Sequence, residues 1–579
     1  MQNVIPATLP TVRGTIVTVR RAAADPVVIS VLMTAAGAVV WLAVFPRAGT
    51  DLSAQLARAD WARRYPGSAY LFSWYGGFYP AGYSVLAPYV LGLAGTRAAM
   101  AVGVTGCAAL LSSVLAGCQA PRPRAAAAWV AVALCTQLSA GRATFILGLT
   151  AGAGCVALTA RPPPRPAVVA GRPAVPIRPV RGGKRAPGIG PALRVGPVLG
   201  GKRALAVGPG LAVRLVLAVR LVLATRLVLA ALTSLLSPVA GLFLGVVAAA
   251  LVLTGRRREG AAIGVAAALP LGVTMLLSDG GLQPIGRQNA VPSLLAVVGV
   301  LLLVPRRWRP VRAGAVVYGL GVLAVWALPT PVGSNVERLG ELLAGPLLAG
   351  LAATATVRSR LLLTVALVTV AGWQVAQPVT DLARGNAPLA GPQTTALVAE
   401  LRALGADTAR VEAVPQYGHW ESQQLALAAP LARGWERQAD TVRNGLFYRG
   451  TLTPAAYYAW LRYNAVRYVA ISAVPPDYAG AAEARLVRAG QAWLLPVWHD
   501  GYWQLYRLAG AQPLASAPGS VTGSTPDRVT VRLVRAGATV VRVRWSPFLR
   551  AAGATVTRSG AWTRLAAARP GVYVLTAPY

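Results

Sequence analysis

Carboxylates are what this chain has least of. Its 579 residues hold 18 Asp and Glu against 56 Lys and Arg, a formal net charge of +38, and charged residues make up only 13% of the whole. Average soluble domains carry about 25%. The only two histidines, His419 and His499, stand far apart, which excludes a histidine-rich metal cluster. The four cysteines (Cys107, Cys118, Cys135 and Cys155) fall in or beside apolar runs without paired metal-ligand spacing. They read as small apolar packing residues. No basic-aromatic surface accompanies the positive charge, so nucleic acid is excluded as a partner. A cleaved signal peptide is not expected either, because the first apolar run is long, no Ala-x-Ala site follows it closely, and further runs succeed it.

What the chain has in quantity is apolar sequence: 55% hydrophobic residues and a mean hydropathy of +0.53. Runs near 20 residues recur, each long enough for a hydrocarbon core of about 30 Å. We read eleven spans near 26–46, 97–117, 125–140, 142–160, 221–237, 239–254, 260–277, 291–305, 312–329, 338–355 and 360–378. With a cytoplasmic N-terminus (1–25), the basic clusters Arg20-Arg21, Arg122/Arg124, Arg256–Arg258, Arg306–Arg312 and Arg358/Arg360 all fall inside, as positive-inside orientation requires. The expected localisation is the plasma membrane, multi-pass, with residues 379–579 extracytoplasmic. Counting Tyr79–Leu93 as a crossing would invert every later cluster. That stretch, broken by proline and glycine, is expected to be an interfacial or re-entrant cavity wall within the extracytoplasmic loop 47–96.

Residues 161–220 are Pro-rich, then Gly-rich, with Gly-Gly-Lys-Arg-Ala at 182–186 and 200–204 and Arg-Leu-Val-Leu-Ala at 214–218, 220–224 and 226–230. This composition predicts a disordered basic cytoplasmic insert able to touch anionic headgroups. Its near P-loop, Gly196-x4-Gly201-Lys202-Arg203, lacks the Ser/Thr that would hold magnesium and is discarded. Beyond 379 the pattern turns soluble-like. Helices are expected at Thr394–Leu404 and Ala455–Leu461, strands at Ala409–Val414 and Val466–Ile471, giving an α/β domain over 379–514. Alternating runs at Arg528–Val534, Thr539–Trp545 and Gly571–Thr576 predict a β-sandwich over 515–579. The expected fold class is therefore a membrane all-α bundle of about eleven helices with a C-terminal α/β plus β-sandwich region.

The first 378 residues contain only seven acids: Asp25, Asp51, Asp60, Glu259, Asp279, Glu337 and Glu341. Asp51 directly follows the first span. Its surroundings, Gly49-Thr-Asp51-Leu-Ser-Ala-Gln55, and a series of further motifs resemble the GT-C superfamily of membrane glycosyltransferases. Those motifs are Trp74-Tyr-Gly-Gly-Phe-Tyr-Pro80, Gly141-Arg-Ala-Thr-Phe-Ile-Leu-Gly148, Ser237-Pro-Val-Ala-Gly241, Pro331-Val-Gly-Ser-Asn-Val-Glu-Arg338, Tyr458–Val469 and Val541-Arg-Val-Arg-Trp-Ser-Pro547. Within that superfamily the chain looks most like large actinobacterial membrane proteins, and distantly like the family proposed to glycosylate teichoic acids. The resemblance covers nearly the whole chain except the insert. It implies a polyprenyl-phosphate-linked sugar donor, an envelope glycan acceptor and Asp51 as catalytic base or metal ligand.

On that resemblance Arg142, Arg287 and Arg338, all at outer span ends, would pair with the lipid phosphate. Tyr75, Tyr79 and Tyr83 would stack on sugar or prenyl groups, and Glu337 and Asp279 would assist a divalent metal ion. Each has a plainer reading. Asp51 as an N-cap of the helix starting at Leu52 is one; Asp60 as a solvated loop acid is another. Arg142 fits an interfacial anchor, Glu337 and Arg338 the start of a span, where the dipole favours the Glu, and the tyrosines an aromatic belt. His419, Trp420 and Glu421 fit either an acceptor site or a packed turn. Two other function classes remain open at this point: a major-facilitator-like transporter, against which no paired six-span halves are found, and a non-catalytic envelope-binding scaffold.

Overall fold

The computed structural model describes residues 25–45, 49–160, 209–278, 281–351, 357–385 and 392–579. Residues 1–24, most of the basic insert (161–208) and Asp279 lie outside them. The chain opens with helix α1 (Pro26–Val44), started by Pro26 at its first position and by Asp25, whose carboxylate accepts from the Val27 amide at 2.7 Å. Then come α2 (Leu52–Arg64), α3 (Ala87–Ala94), α4 (Thr96–Gly117), α5 (Pro123–Ser139), α6 (Ala143–Ala160), α7 (Pro209–Leu236), α8 (Pro238–Leu253), α9 (Arg257–Leu277), α10 (Arg287–Leu303), α11 (Arg309–Ala327), α12 (Glu337–Leu351) and α13 (Val357–Gly385).

Seven of these helices are long and apolar enough to cross a membrane: α1, α4, α6, the Leu217–Leu236 part of α7, α9, α11 and α13. Two more, α8 and α10, are apolar but shorter. Many large apolar side chains on them are open, among them Leu32, Val39, Leu269 and Leu276, as suits contact with lipid. Helix α7 begins at Pro209, so residues 209–220 are helical where a disordered insert was expected. The Arg-Leu-Val-Leu-Ala repeats explain this, since Arg, Leu and Ala all favour helix. Helix α3, with eight residues, is about 12 Å long and too short to cross. It packs on α2 and is pinned to the end of α7 by Ser84, whose hydroxyl donates to the Leu235 and Leu236 carbonyls.

The C-terminal region follows the expected order. Helices α14 (Pro392–Ala403), α15 (Trp420–Gln424), α16 (Arg437–Arg443), α17 (Pro454–Tyr463) and α18 (Ala481–Arg488) surround a four-stranded sheet of β1 (Arg410–Ala413), β2 (Val466–Ser472), β3 (Leu494–His499) and β4 (Trp503–Leu508). Its strand order is β1-β2-β4-β3; β1 and β2 are parallel and the other pairs antiparallel. Then β5 (Gly519–Thr525), β6 (Arg528–Leu533) and β10 (Gly571–Thr576) form one sheet, and β7 (Gly537–Arg544), β8 (Thr555–Ser559) and β9 (Trp562–Ala567) a second. Val529, Val531 and Leu575 of the first meet Val541, Val543 and Leu565 of the second in one core, which makes this unit a sandwich.

The loop between α2 and α3 joins the two halves of the molecule. Tyr70 and Phe72 complete the sandwich core, while Leu71, Trp74, Tyr75 and Phe78 enter the core of the α/β unit beside Leu401, Val411, Leu425 and Trp503. Trp74 is fully buried and donates to the Ser422 carbonyl at 2.9 Å. Successive residues can face different neighbours because the chain turns sharply at Gly76 and Gly77, where φ is +74° and +112°. A Cβ on Gly77 would lie 2.2 Å from the Tyr70 ring. On α2, Arg58 pairs with Glu436 at 2.9 Å with both side chains almost sealed from water.

Removing one partner of that pair strands a buried charge, so Arg58→Met or Glu436→Leu alone should cost about 3–5 kcal/mol, and the double variant should recover much of the loss. Thermal unfolding of the four proteins in detergent tests this; additive losses would show that the pair is not coupled.

Candidate functional site

A cavity of about 720 Å³ lies where the helices meet the C-terminal region. Its helical side carries Asp51, Gln55 and Arg58 of α2 with Arg142, Glu337 and Arg338; its other side carries Trp435, Arg437 and Tyr478. Asp51, Ala54, Gln55 and Arg58 are spaced i, i+3, i+4 and i+7, so one face of α2 forms the wall. Helices α6, α10 and α12 all start at this end. The opposite end of the bundle holds Arg226, Arg256 and Arg312, which donate to helix-terminal carbonyls or to Glu259.

Asp51 occupies the N-cap position of α2 but does not cap. Its backbone is already helical (φ −85°, ψ −16°) and its side chain makes no capping bond. Two residues that do cap in this chain, Ser237 and Thr453, have extended backbones and accept from the amide three residues on. Asp51 instead accepts from Arg338 Nη2 at 3.2 Å, with a quarter of its side chain open. The capping reading is therefore replaced by a carboxylate turned to the cavity.

Arg142 donates to Gln137 Oε1 at 2.7 Å and to Glu341 Oε2 at 3.0 Å, and it is buried; it is no headgroup anchor. Arg287 is the first residue of α10, exposed and outside the cavity lining, where its neighbours Gln288 and Asn289 stand instead. Glu337 accepts from Asn289 Nδ2 at 2.6 Å. Tyr83 lines the cavity with its ring under Arg58, whose guanidinium carbon is 4.2 Å from the centroid. Tyr75 and Tyr79 do not line it. Tyr75 donates to the Glu436 carbonyl and accepts from its amide, and Tyr79 bonds Ser546 of the sandwich, so both are struts between units. Asp60 lies within α2, not in a loop, 3.7 Å from Arg63 and away from Asp51.

Each cavity arginine has a carboxylate partner: Arg58 with Glu436, Arg142 with Glu341, Arg338 with Asp51 and Arg437 with Asp477 at 2.7 Å. The cavity is polar without being strongly cationic. Among the described residues no group of three or more His, Cys, Asp and Glu is arranged to hold a metal ion.

The residues that sequence reasoning missed come mostly from the far end of the chain. Arg58 had a signal, its spacing of seven from Asp51. Trp435, Glu436, Arg437 and Tyr478 had none, because only the tertiary fold brings them opposite α2. Behind them His419 is buried, its ring stacked on Trp435 at 3.5 Å between centroids. Its Nε2 lies 3.3 Å from Asp477 Oδ2 and its Nδ1 3.5 Å from Glu421 Oε1, the second an ion-pair distance, not a hydrogen bond. The packed-turn reading holds for these residues, and the turn supports the cavity wall.

Burial disfavours the charged imidazole, yet Asp477 and Glu421 outweigh it and raise the His419 pKa above its ordinary 6.5. Burial likewise opposes ionised Asp477, but His419 and Arg437 hold its carboxyl well below the usual 3.8. The His419 contribution to stability is thus complete below about pH 6.5 and is lost as pH rises through the raised folded value. The Asp477 contribution is complete above about pH 3.8 and is lost as pH falls through the depressed one. The melting temperature should therefore fall as pH rises above about 6.5, and His419→Gln should flatten that slope. Identical slopes in both proteins would remove His419 as the cause. In comparisons with known proteins, no family model and no curated sequence matches the chain.

Proposed function

We propose that this chain is an integral membrane glycosyltransferase of GT-C type, moving a sugar from a polyprenyl-phosphate donor to an extracytoplasmic envelope acceptor. The observation that carries this reading is Asp51, a rare carboxylate that leaves its helix cap unmade and turns to a large polar cavity beside Arg338. In the proposed topology all eleven helices between Pro26 and Gly385, the short α2 and α3 excepted, cross the membrane. The arginine-rich end faces the cytoplasm, and the cavity and C-terminal region face outward.

An apolar slot of about 100 Å³ supports the choice of a lipid-linked donor. It is lined by Val239, Leu242, Leu271 and Met275 and meets the main cavity at Arg338 and Tyr83. A prenyl chain in the slot would bring its phosphate to Arg338, which now holds Asp51. As the phosphate takes that guanidinium, the carboxylate is released. The acceptor hydroxyl oxygen then bonds to the anomeric carbon, the bond from that carbon to the phosphate oxygen breaks, and polyprenyl phosphate leaves with the electron pair. Asp51 receives the hydroxyl proton, and Arg338 balances the charge on the departing phosphate. Arg142, tied to Glu341, shapes the floor and is not the primary phosphate ligand in this scheme.

In membranes supplied with labelled polyprenyl-phosphate sugars, Asp51→Asn and Asp51→Ala should lower transfer by about 10²–10⁴-fold at normal expression. Arg338→Gln should mainly raise the KM for the donor. Full transfer by both Asp51 variants would sink the assignment of the base. No transfer by the wild type from any polyprenyl-phosphate sugar would sink the enzyme.

A further inference from the structure

Four planar groups stack in a row from the interior of the C-terminal region to the cavity. His419 lies on Trp435 with rings 3.5 Å apart and 12° from parallel. Arg437 covers Trp435, its guanidinium carbon 4.6 Å from the ring centroid, and the same carbon is 4.4 Å from the centroid of Tyr478. Asp477 braces the row by contacting both His419 Nε2 and Arg437 Nη2, and Arg437 Nη1 donates to the Tyr448 hydroxyl at 2.8 Å. The interior layers have their faces covered. The last one does not: Tyr478 lines the cavity and is 69% exposed.

We infer that the open face of Tyr478 is a stacking platform for a neutral saccharide ring. An aromatic face is apolar and carries the negative side of the ring quadrupole, which suits the weakly positive C–H face of a pyranose. Nothing in the proposed chemistry uses Tyr478, whose ring is held by Arg437 on one side and meets Tyr448 edge to face. The surrounding polar groups point to the same ligand class. Gln283, Asn335 and Gln438 also line the cavity and are hydrogen-bonded to one another, Asn335 Nδ2 and Gln438 Nε2 both donating to Gln283 Oε1 at 3.1 and 3.0 Å. Neutral amides that donate and accept match hydroxyl groups. The guanidinium behind the platform is balanced by Asp477, so an anionic ligand is not selected there. The assignment of this ring as part of the acceptor rests on the transferase reading; its binding does not.

The test is saturation-transfer NMR on the full chain in detergent, with neutral trisaccharides of gluco, galacto and manno configuration. At least one should bind the wild type. Tyr478→Ala should weaken that binding roughly tenfold, and Tyr478→Phe should restore it. Failure of all three sugars to bind, or equal binding by Tyr478→Ala, overturns the platform. Binding that follows Tyr478 in a protein that transfers no sugar upholds the platform and overturns only the transferase.

Discussion

The loop between α2 and α3 is the part on which the rest of the molecule depends. It has almost no regular secondary structure, yet its aromatic side chains sit inside two separate cores. Tyr70 and Phe72 are needed by the sandwich, and Trp74, Tyr75 and Phe78 by the α/β unit. Burying one such ring is worth several kcal/mol, and five of them act on the same short segment. The C-terminal units are therefore docked on the helices through shared hydrophobic cores. A cavity between bodies joined in this way has walls of fixed spacing, which is what a site built from both bodies requires.

That spacing decides how the charges are arranged. A bundle poor in acids would be expected to present its arginines uncompensated. Around the cavity it does not, because the few carboxylates are concentrated there and the C-terminal region supplies Glu436 and Asp477. Of the four arginine–carboxylate pairs, the one between Arg338 and Asp51 is the most open at its acid, a quarter exposed. The other three carboxylates are nearly sealed, with 6–7% of their side chains open. Desolvation makes a sealed pair costly to separate, so exchange with an incoming ligand is cheapest at Asp51. Exposure and pairing together single this carboxylate out more firmly than its rarity does.

Much of the fold was legible in the sequence because it rests on periodicity. Helices occur at every expected span, β2 falls within a residue of its apolar run, and β6, β7 and β10 within a residue or two of their alternating runs. The exceptions are instructive. The start of α7 at Pro209 was hidden by its low-complexity surroundings, although the repeat itself is a good helix former. Tyr75, Tyr79 and Tyr83 are spaced by four, but the left-handed turn from Tyr75 through Gly77 breaks the helix that would align them. Only Tyr83 reaches the cavity. Arg142 and Arg338 were found by their position at span ends, whereas Arg287, equally placed, faces away, because position along a helix does not set direction around it.

Direction around a helix is also what separates the readable half of the site from the unreadable one. On α2 the cavity face repeats with helical spacing, so Asp51 carries Gln55 and Arg58 with it. Opposite, Trp435 lies just before α16 and Arg437 at its first position, and Tyr478 comes from another loop, with no common period. They converge because His419, in a left-handed conformation at the start of α15, places its ring against Trp435 while Asp477 reaches across to Arg437. The geometry of this wall is thus set by buried charge pairing and ring stacking, both long-range in sequence. In the proposed transferase, a carboxylate on a periodic helix, faced by an aromatic wall assembled from loops, divides the labour: the helix would hold the reacting group, and the loops would determine what is brought to it.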